Sequence, residues 1–395
     1  MPKPMKYLVK LMGMILPALI AVSCIVPYEP EELVNLEDII VVEGNISLTG
    51  PFTIRISRSA PISTFQSGQR TVKYERNANV YVLDSQGNKY QPYNRTADGE
   101  YLFDFSVQQP DQELKYQLVI ESLDGNTYES DLRQARHSSN MELHYVVDTL
   151  AEELSIYVNS YDVTGQSKHY NWKFTETWDY VSQLAAYTYF DVFEVKSTEN
   201  KRPWNHRCWN SQQSSEILLK ETSNLSEDRI KDLKIHTIKF RDLRITQHYL
   251  IEVTQTVLDS DAYNYLENMR KNSNDIGDLF SPQPNEISGN VRCVTDPDTR
   301  AIGFVSVCNS ITKRLLIDCT GLPGYVREPM PEDTLMSLEA DISSLLELHS
   351  MGYSPHMIDA QAGVSHWNLT RCIDCRSKGG IPMVPVFWPI EWPWF

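Results

Sequence analysis

Thiols are the most reactive side chains that this 395-residue sequence places at informative positions. Seven cysteines occur. Setting Cys24 aside leaves Cys208, Cys293, Cys308, Cys319, Cys372 and Cys375. In an oxidising compartment an even set of this kind reads as disulfides, all beyond residue 200, with the pairing left open by sequence alone. Cys372-Ile-Asp-Cys375 also has the spacing of a redox dithiol or half a zinc site. No second CxxC completes a zinc set and no thioredoxin-like strand-helix-strand pattern surrounds the pair, so structural disulfides are expected.

Other chemistry is sparse. A hydrolase needs a nucleophile beside a base, or convergent metal ligands. The sequence holds no HExxH, GxSxG or phosphate-binding glycine loop, and its nine histidines include no close pair at ligand spacing. Asp296-Pro297-Asp298 supplies too few oxygens for calcium and reads as a hairpin turn. No catalytic residue, metal or cofactor is expected. Trp178, Trp204 and Trp209 are candidates for stacking on a sugar ring or peptide; filling a β-sandwich core is the competing reading. The run Phe387-Trp388-Pro389-Ile390-Glu391-Trp392-Pro393-Trp394-Phe395 either packs on its own domain or docks at a partner barrel or membrane interface, where Trp is favoured.

The remaining cysteine has a distinct context. Lys3, Lys6 and Lys10 precede an apolar stretch, Leu11 to Val22, and then Ala21-Val22-Ser23-Cys24. Small residues ahead of a cysteine, directly after such a stretch, resemble a bacterial lipoprotein signal, with residues 1–23 removed and Cys24 acylated. An apolar run of about 12 residues is short of the roughly 20 that span a bilayer. A plain secretory signal with an incidental cysteine is the alternative. Glu29, Glu31, Glu32, Glu37 and Asp38 follow, so residues 24–37 read as a flexible acidic tether. Acids beginning five residues after the lipid site resemble the surface-export signal of Bacteroidetes lipoproteins, a resemblance that implies the outer cell surface over the periplasmic leaflet.

Charge narrows the partners. The chain has 36 Lys+Arg against 52 Asp+Glu, a net of −16. Such a body repels phosphate backbones, which argues against nucleic acid. The elements that must position the candidate residues are mostly strands. Phe52, Ile54 and Ile56 alternate with polar residues, as do Tyr116, Leu118 and Ile120, and Tyr249, Ile251 and Val253. Turn signals at Asp84-Ser85-Gln86-Gly87, Asp98-Gly99 and Asp124-Gly125 separate the early strands. The expected fold is mainly β with minor α. An immunoglobulin-like or carboxypeptidase-regulatory-like β-sandwich over 38–137 precedes a larger β-rich domain over 138–395 that carries the cysteines and two or three helices. Asp259 or Ser260 caps one helix bearing Ala262, Tyr263, Leu266 and Met269. Leu335, Leu338, Ile342, Leu345 and Leu346 mark another, and a short helical turn follows Asn224.

Ile40-Val41-Val42-Glu43-Gly44 followed by Gly50-Pro51-Phe52-Thr53-Ile54 resembles the opening of the Bacteroidetes lipoproteins grouped as domain-of-unknown-function family 4249. Gly99-Glu100-Tyr101, Tyr128-Glu129-Ser130, Cys208-Trp209, Gly277-Asp278-Leu279-Phe280, Ile287-Ser288-Gly289-Asn290, Ile302-Gly303-Phe304 and the tail from Cys372 follow in the same order. The resemblance implies a context like that of outer-membrane lipoproteins accessory to TonB-dependent transporters; with no catalytic motif in the sequence, a non-enzymatic accessory or binding partner of such a transporter is the first expectation. It implies no catalytic residues. An independent surface glycan- or peptide-binding lipoprotein is the second expectation.

Overall fold

The computed structural model describes residues 39–59, 72–108, 110–136, 140–165, 167–198, 203, 205–274, 289–323 and 329–389. Cys24, the tether at 24–37, Trp204, the 277–288 stretch and the last six residues lie outside the described residues. The described chain is mainly β.

The early alternating segments pair into two sheets. In one, Ile40–Glu43, Pro51–Arg58 and Glu100–Asp104 lie side by side; in the other, Asn79–Asp84, Lys115–Glu121 and Thr127–Ser130 do. Period-two patterning points Ile54, Ile56, Tyr101 and Phe103 from the first at Val80, Val82, Tyr116, Leu118 and Ile120 from the second, and all are buried in one core.

Neither sheet is complete within residues 38–137. Val291–Cys293 adds antiparallel to Thr127–Ser130, and Ala301–Gly303 adds parallel to Ile40–Glu43. Val307–Cys308 then pairs with Ile46–Ser47. The chain therefore leaves the first sandwich, builds most of a second and returns to close the first. Asn290 fixes the returning hairpin. Its side chain donates to Val305 O at 2.9 Å and accepts from Val305 N at 2.7 Å, while its backbone N–H donates to Gly303 O at 3.0 Å. Gly303, at φ 146°, is required by close approach: a Cβ there would sit 2.3 Å from Val42 O.

The second sandwich packs a three-stranded sheet, Asn140–Asp148, Glu153–Tyr161 and Arg229–Lys239, on a larger one. That larger sheet runs Arg207–Gln213, His169–Val181, His248–Leu258 and Ser310–Asp318, with Leu218–Glu221 also paired to the His169–Val181 strand. Trp172, Tyr249, Ile251 and Val253 line the core between them. The helix Ser260–Asn274 starts where the sequence places it, with Asp259 Oδ1 accepting from Ala262 N at 2.8 Å. Arg133 of the first sandwich reaches this helix start, donating to Asp259 at 2.7 Å and Asp261 at 3.1 Å, and so joins the two sandwiches.

A third, smaller unit consists of Thr334–Ser337, Tyr353–Asp359 and Val364–Leu369 with the helix Ile342–Ser350, and the hairpin Thr188–Phe190/Val195–Ser197 packs on it through Phe190 against Trp367. Two expectations are corrected here. Leu335 sits in a strand and Leu338 follows it, so the helix begins only at Ile342; Thr334–Ser337 is drawn into the sheet by its register on Val364–Leu369. The stretch after Asn224 is not helical: a turn closed by Leu225 N donating to Thr222 O leads through bends at 225–228 into the strand Arg229–Lys239.

Replacing Asn290 by Ala strips two bonds from the Val305 backbone in a buried site. A loss of about 1–3 kcal/mol is expected in urea unfolding; an unchanged midpoint would mean that the returning hairpin does not hold the first sandwich together.

Candidate functional site

The candidate residues that converge do so at one edge of the second sandwich. On the His169–Val181 strand, Trp178 and Tyr180 point inward and Asp179 outward; the paired strand places Cys208 opposite Tyr180 and Trp209 opposite Asp179. Cys208 is bonded to Cys375, 167 residues away in sequence. Around that bond the chain end is held closely. Tyr180 donates to Cys375 O at 2.9 Å, Cys375 N donates to Asn205 O at 2.9 Å, and Trp209 and Ile381 exchange two backbone hydrogen bonds of 2.9 Å. Gly380 is needed at the crossing, since a Cβ would fall 2.4 Å from Tyr180 Oη.

From there the tail turns onto the outer face of the sheet. Trp388 meets Trp209 edge-on, with ring centroids 6.3 Å apart, and both pack on Leu250. Trp209 and Trp178 are thus corrected as ligand contacts. Trp209 is buried beneath the protein's own Trp388, and Trp178 belongs to the inner core, so neither ring presents a face to solvent. A narrow cleft beside the disulfide is lined by Tyr180, Ser182, Gln183, Thr246, Arg371 and Lys378, among others; Ser182 Oγ donates to Leu184 O at 2.7 Å and lies 2.8 Å from His206 Nδ1.

The other four described cysteines form no disulfide. Cys293 lies in the first core, Cys319 in the second, Cys308 on the strand crossing between them and Cys372 in the small unit. A disulfide needs Cα atoms within about 7 Å, so thiols set in separate cores are not bridged to one another. All four are buried thiols. Burial pushes Cys308 up to about 11 and Cys319 up to about 12, which leaves both protonated and unreactive at neutral pH. Because Cys375 is tied to Cys208, Cys372-x-x-Cys375 is not a dithiol pair.

Two buried carboxylates have the look of chemistry and are fully engaged. Glu176 accepts from Arg244 at 2.9 and 3.2 Å and from Tyr249 Oη at 2.8 Å, and lies 3.1 Å from His236 Nε2 on the opposing sheet. Burial pushes its pKa up, but His236, Arg244 and Tyr249 outweigh burial and hold it below the ordinary value. Asp179, fully buried, accepts from His248 N at 2.8 Å and pairs with Arg207.

The structure also assembles a group that sequence spacing does not show. Asp333 Oδ2 lies 3.0 Å from His356 Nε2 and 3.2 Å from His366 Nδ1, while Asn368 donates to its Oδ1 at 2.9 Å. His356 joins His366 because a bulge between Pro355 and Met357 shifts the register of their strands. The available signal was the turn at Gly363, which sets the pairing Asp359–Val364; the bulge has no comparable mark. Among the described residues no set of three His, Cys, Asp or Glu is arranged to hold a metal ion.

The family model described as domain of unknown function (DUF4249) matches residues 25–314. The chain belongs to that family. No curated protein matches it. The DUF4249 match takes in the first sandwich, the second as far as the middle of its Ser310–Asp318 strand, and Cys208, whereas Cys375, the small unit and the tail lie beyond it. No helix among the described residues is long and apolar enough to cross a membrane.

Glu176→Gln tests whether this acid is structural. Its folded pKa is depressed, so its pairs contribute fully above the ordinary value of 4.5 and are lost as pH falls through the folded value. The native chain should lose stability across that acid window. The Gln variant should lose less there and be weaker at pH 7, near the low end of the roughly 3–5 kcal/mol for breaking a buried pair, since Arg244 keeps Asp242. Equal slopes of unfolding free energy against pH would contradict this.

Proposed function

We propose that this chain is a lipid-anchored, non-enzymatic lipoprotein of the outer membrane, facing the cell exterior, that serves as a binding partner of a TonB-dependent transporter. The anchor is Cys24. An acyl thioether contributes about 0.8 kcal/mol per buried CH₂ and holds a water-soluble body on a bilayer without a spanning helix. Residues 24–38 form the link to the first strand at Ile40, a reach of at most about 50 Å if fully extended. Confinement to a surface raises the concentration of the body near a neighbouring barrel, so modest contacts suffice.

One observation carries the reading. Glu176, Asp179 and the four thiols are held inside the fold, while large apolar side chains stand outside it. On the small unit Leu335, Leu338, Ile342, Leu346 and Met351 are exposed, and Val192 and Phe193 are exposed at its hairpin tip. Val192 is held at φ 55°, an unfavourable conformation for a β-branched residue. Exposed apolar groups of this size mark recognition surfaces more than catalytic ones. Independent capture of a glycan or peptide on Trp209 has less support, because that ring is covered.

Purification from detergent-solubilised outer membrane tests the proposal. The native chain should carry a barrel transporter with it, its mature amino-terminal peptide should show diacylglycerol on Cys24, and Ile342→Asp with Leu346→Asp should reduce recovery of the barrel at least several-fold. Repeated recovery of the lipoprotein alone, or an unmodified amino terminus, would count against it.

A further inference from the structure

Edges are where a sheet meets other chains, because an outermost strand carries backbone donors and acceptors with no partner. Most edges of the second sandwich are guarded. Arg229–Lys239 is broken by two register shifts against Glu153–Tyr161, holds Asp232 at φ 50°, and exposes Lys231, Lys234 and Lys239. Ser310–Asp318 exposes Lys313 and Arg314, and Arg207–Gln213 takes a bridge from Ile381 of the tail. Asn140–Asp148 has none of these devices. Its nine residues pair with Glu153–Tyr161 in unbroken register, include no Lys, Arg or Pro, and border no further strand among the described residues.

The core beside this edge is unfinished. Leu143, Tyr145 and Val147 lie opposite Val158, Ile156 and Leu154, which are fully buried, so they face the same interior. Yet Tyr145 is 43% exposed, and Leu143 and Val147 are only half-buried. Val146, on the outer face, is exposed as well. We infer that a second copy of the chain supplies the missing strand. Asn140–Asp148 pairs antiparallel with its own counterpart about a two-fold axis at His144, which joins two three-stranded sheets into one of six.

Length, pattern and charge all suit an identical partner. With the axis at His144 all nine residues are paired, and Leu143 of each copy covers Tyr145 of the other on the core-facing side. On the outer face Asn140 meets Asp148 and Glu142 meets Val146, so no two acids are opposed. An axis at Tyr145 would set Glu142 against Asp148, and one at Leu143 would leave Val147 and Asp148 beyond the strand's end. Identical edges joined in this way use each other up, so assembly stops at the dimer. The inference stands apart from the transporter reading, since it concerns the second sandwich and a copy of this chain rather than the small unit.

Sedimentation equilibrium with the unacylated chain from residue 25 onward, paired with hydrogen exchange at low and high concentration, tests the inference. The chain should pass from monomer to dimer as concentration rises. Over the same range alternate amides within 140–148 should gain protection, while those of 229–239 keep their rates. Tyr145→Lys alters a side chain already half open to water, so the monomer's thermal midpoint should stay close to native. It should raise the dissociation constant at least about tenfold, because the dimer would then bury two unpaired ammonium groups. Should that variant fail to fold, the exchange comparison on the native chain decides alone. The inference is overturned if the chain stays monomeric, or if 140–148 is already protected in the monomer by another segment of the chain. A dimer that protects a different edge, a folded Tyr145→Lys that dimerises as tightly as native, or protection that needs a different protein would overturn it too.

Discussion

A single covalent link, Cys208 to Cys375, sets the path of the chain's last described residues. It spans 167 residues of sequence and joins the edge strand of the second sandwich to the run that leaves the small unit. Closing so long a loop removes much entropy from the unfolded chain, worth about 2–4 kcal/mol in typical cases. Its local consequence matters more. With Cys375 tethered beside Tyr180, the next residues can only pass over Gly380 and along Trp209, and Trp388 is delivered to the outer face of the sheet. A sheet that would otherwise show Leu250 and Trp209 to water is covered on that side by its own terminus.

The interior polar groups follow a consistent logic. Glu176 and Asp179 each gather two or more partners from separate strands, and the cost of burying a carboxylate is offset by charge-assisted bonds. Such groups fix which strands meet. The Glu176–His236 contact crosses between sheets, and Arg133 with Asp259 crosses between sandwiches. For the Cys308 and Cys319 thiols in the same interior burial raises the pKa, and at Cys308 it outweighs the nearby Lys173 charge. Both thiols thereby stay protonated at neutral pH, and large apolar side chains stand exposed on the small unit.

Much of the strand content was legible because it rests on local alternation. Phe52 to Ile56, Tyr116 to Ile120 and Tyr249 to Val253 all lie in strands, and Asp259 caps its helix through a bond three residues long. What escaped was non-local. The parallel pairing of Ile40–Glu43 with Ala301–Gly303 joins segments some 260 residues apart, and no periodicity encodes it. Leu335 and Leu338 match helical spacing equally well as part of a strand and its exit turn, and only the register on Val364–Leu369 decides. An even cysteine count invited three bridges, but parity is blind to which cores the thiols occupy. Trp209 looked like a platform because its cover, Trp388, is 179 positions away.

Backbone hydrogen exchange before and after reduction of the disulfide addresses the central claim most directly. With Cys208 bonded to Cys375, the amides of Ile381 and Trp388 should be protected, since both are hydrogen-bonded. On reduction those two should exchange at least tenfold faster, while Tyr249 to Val257 in the sheet centre should keep their protection. Tail amides that exchange at the same rate in both states would contradict the account, because the terminus would then be held by something other than this link.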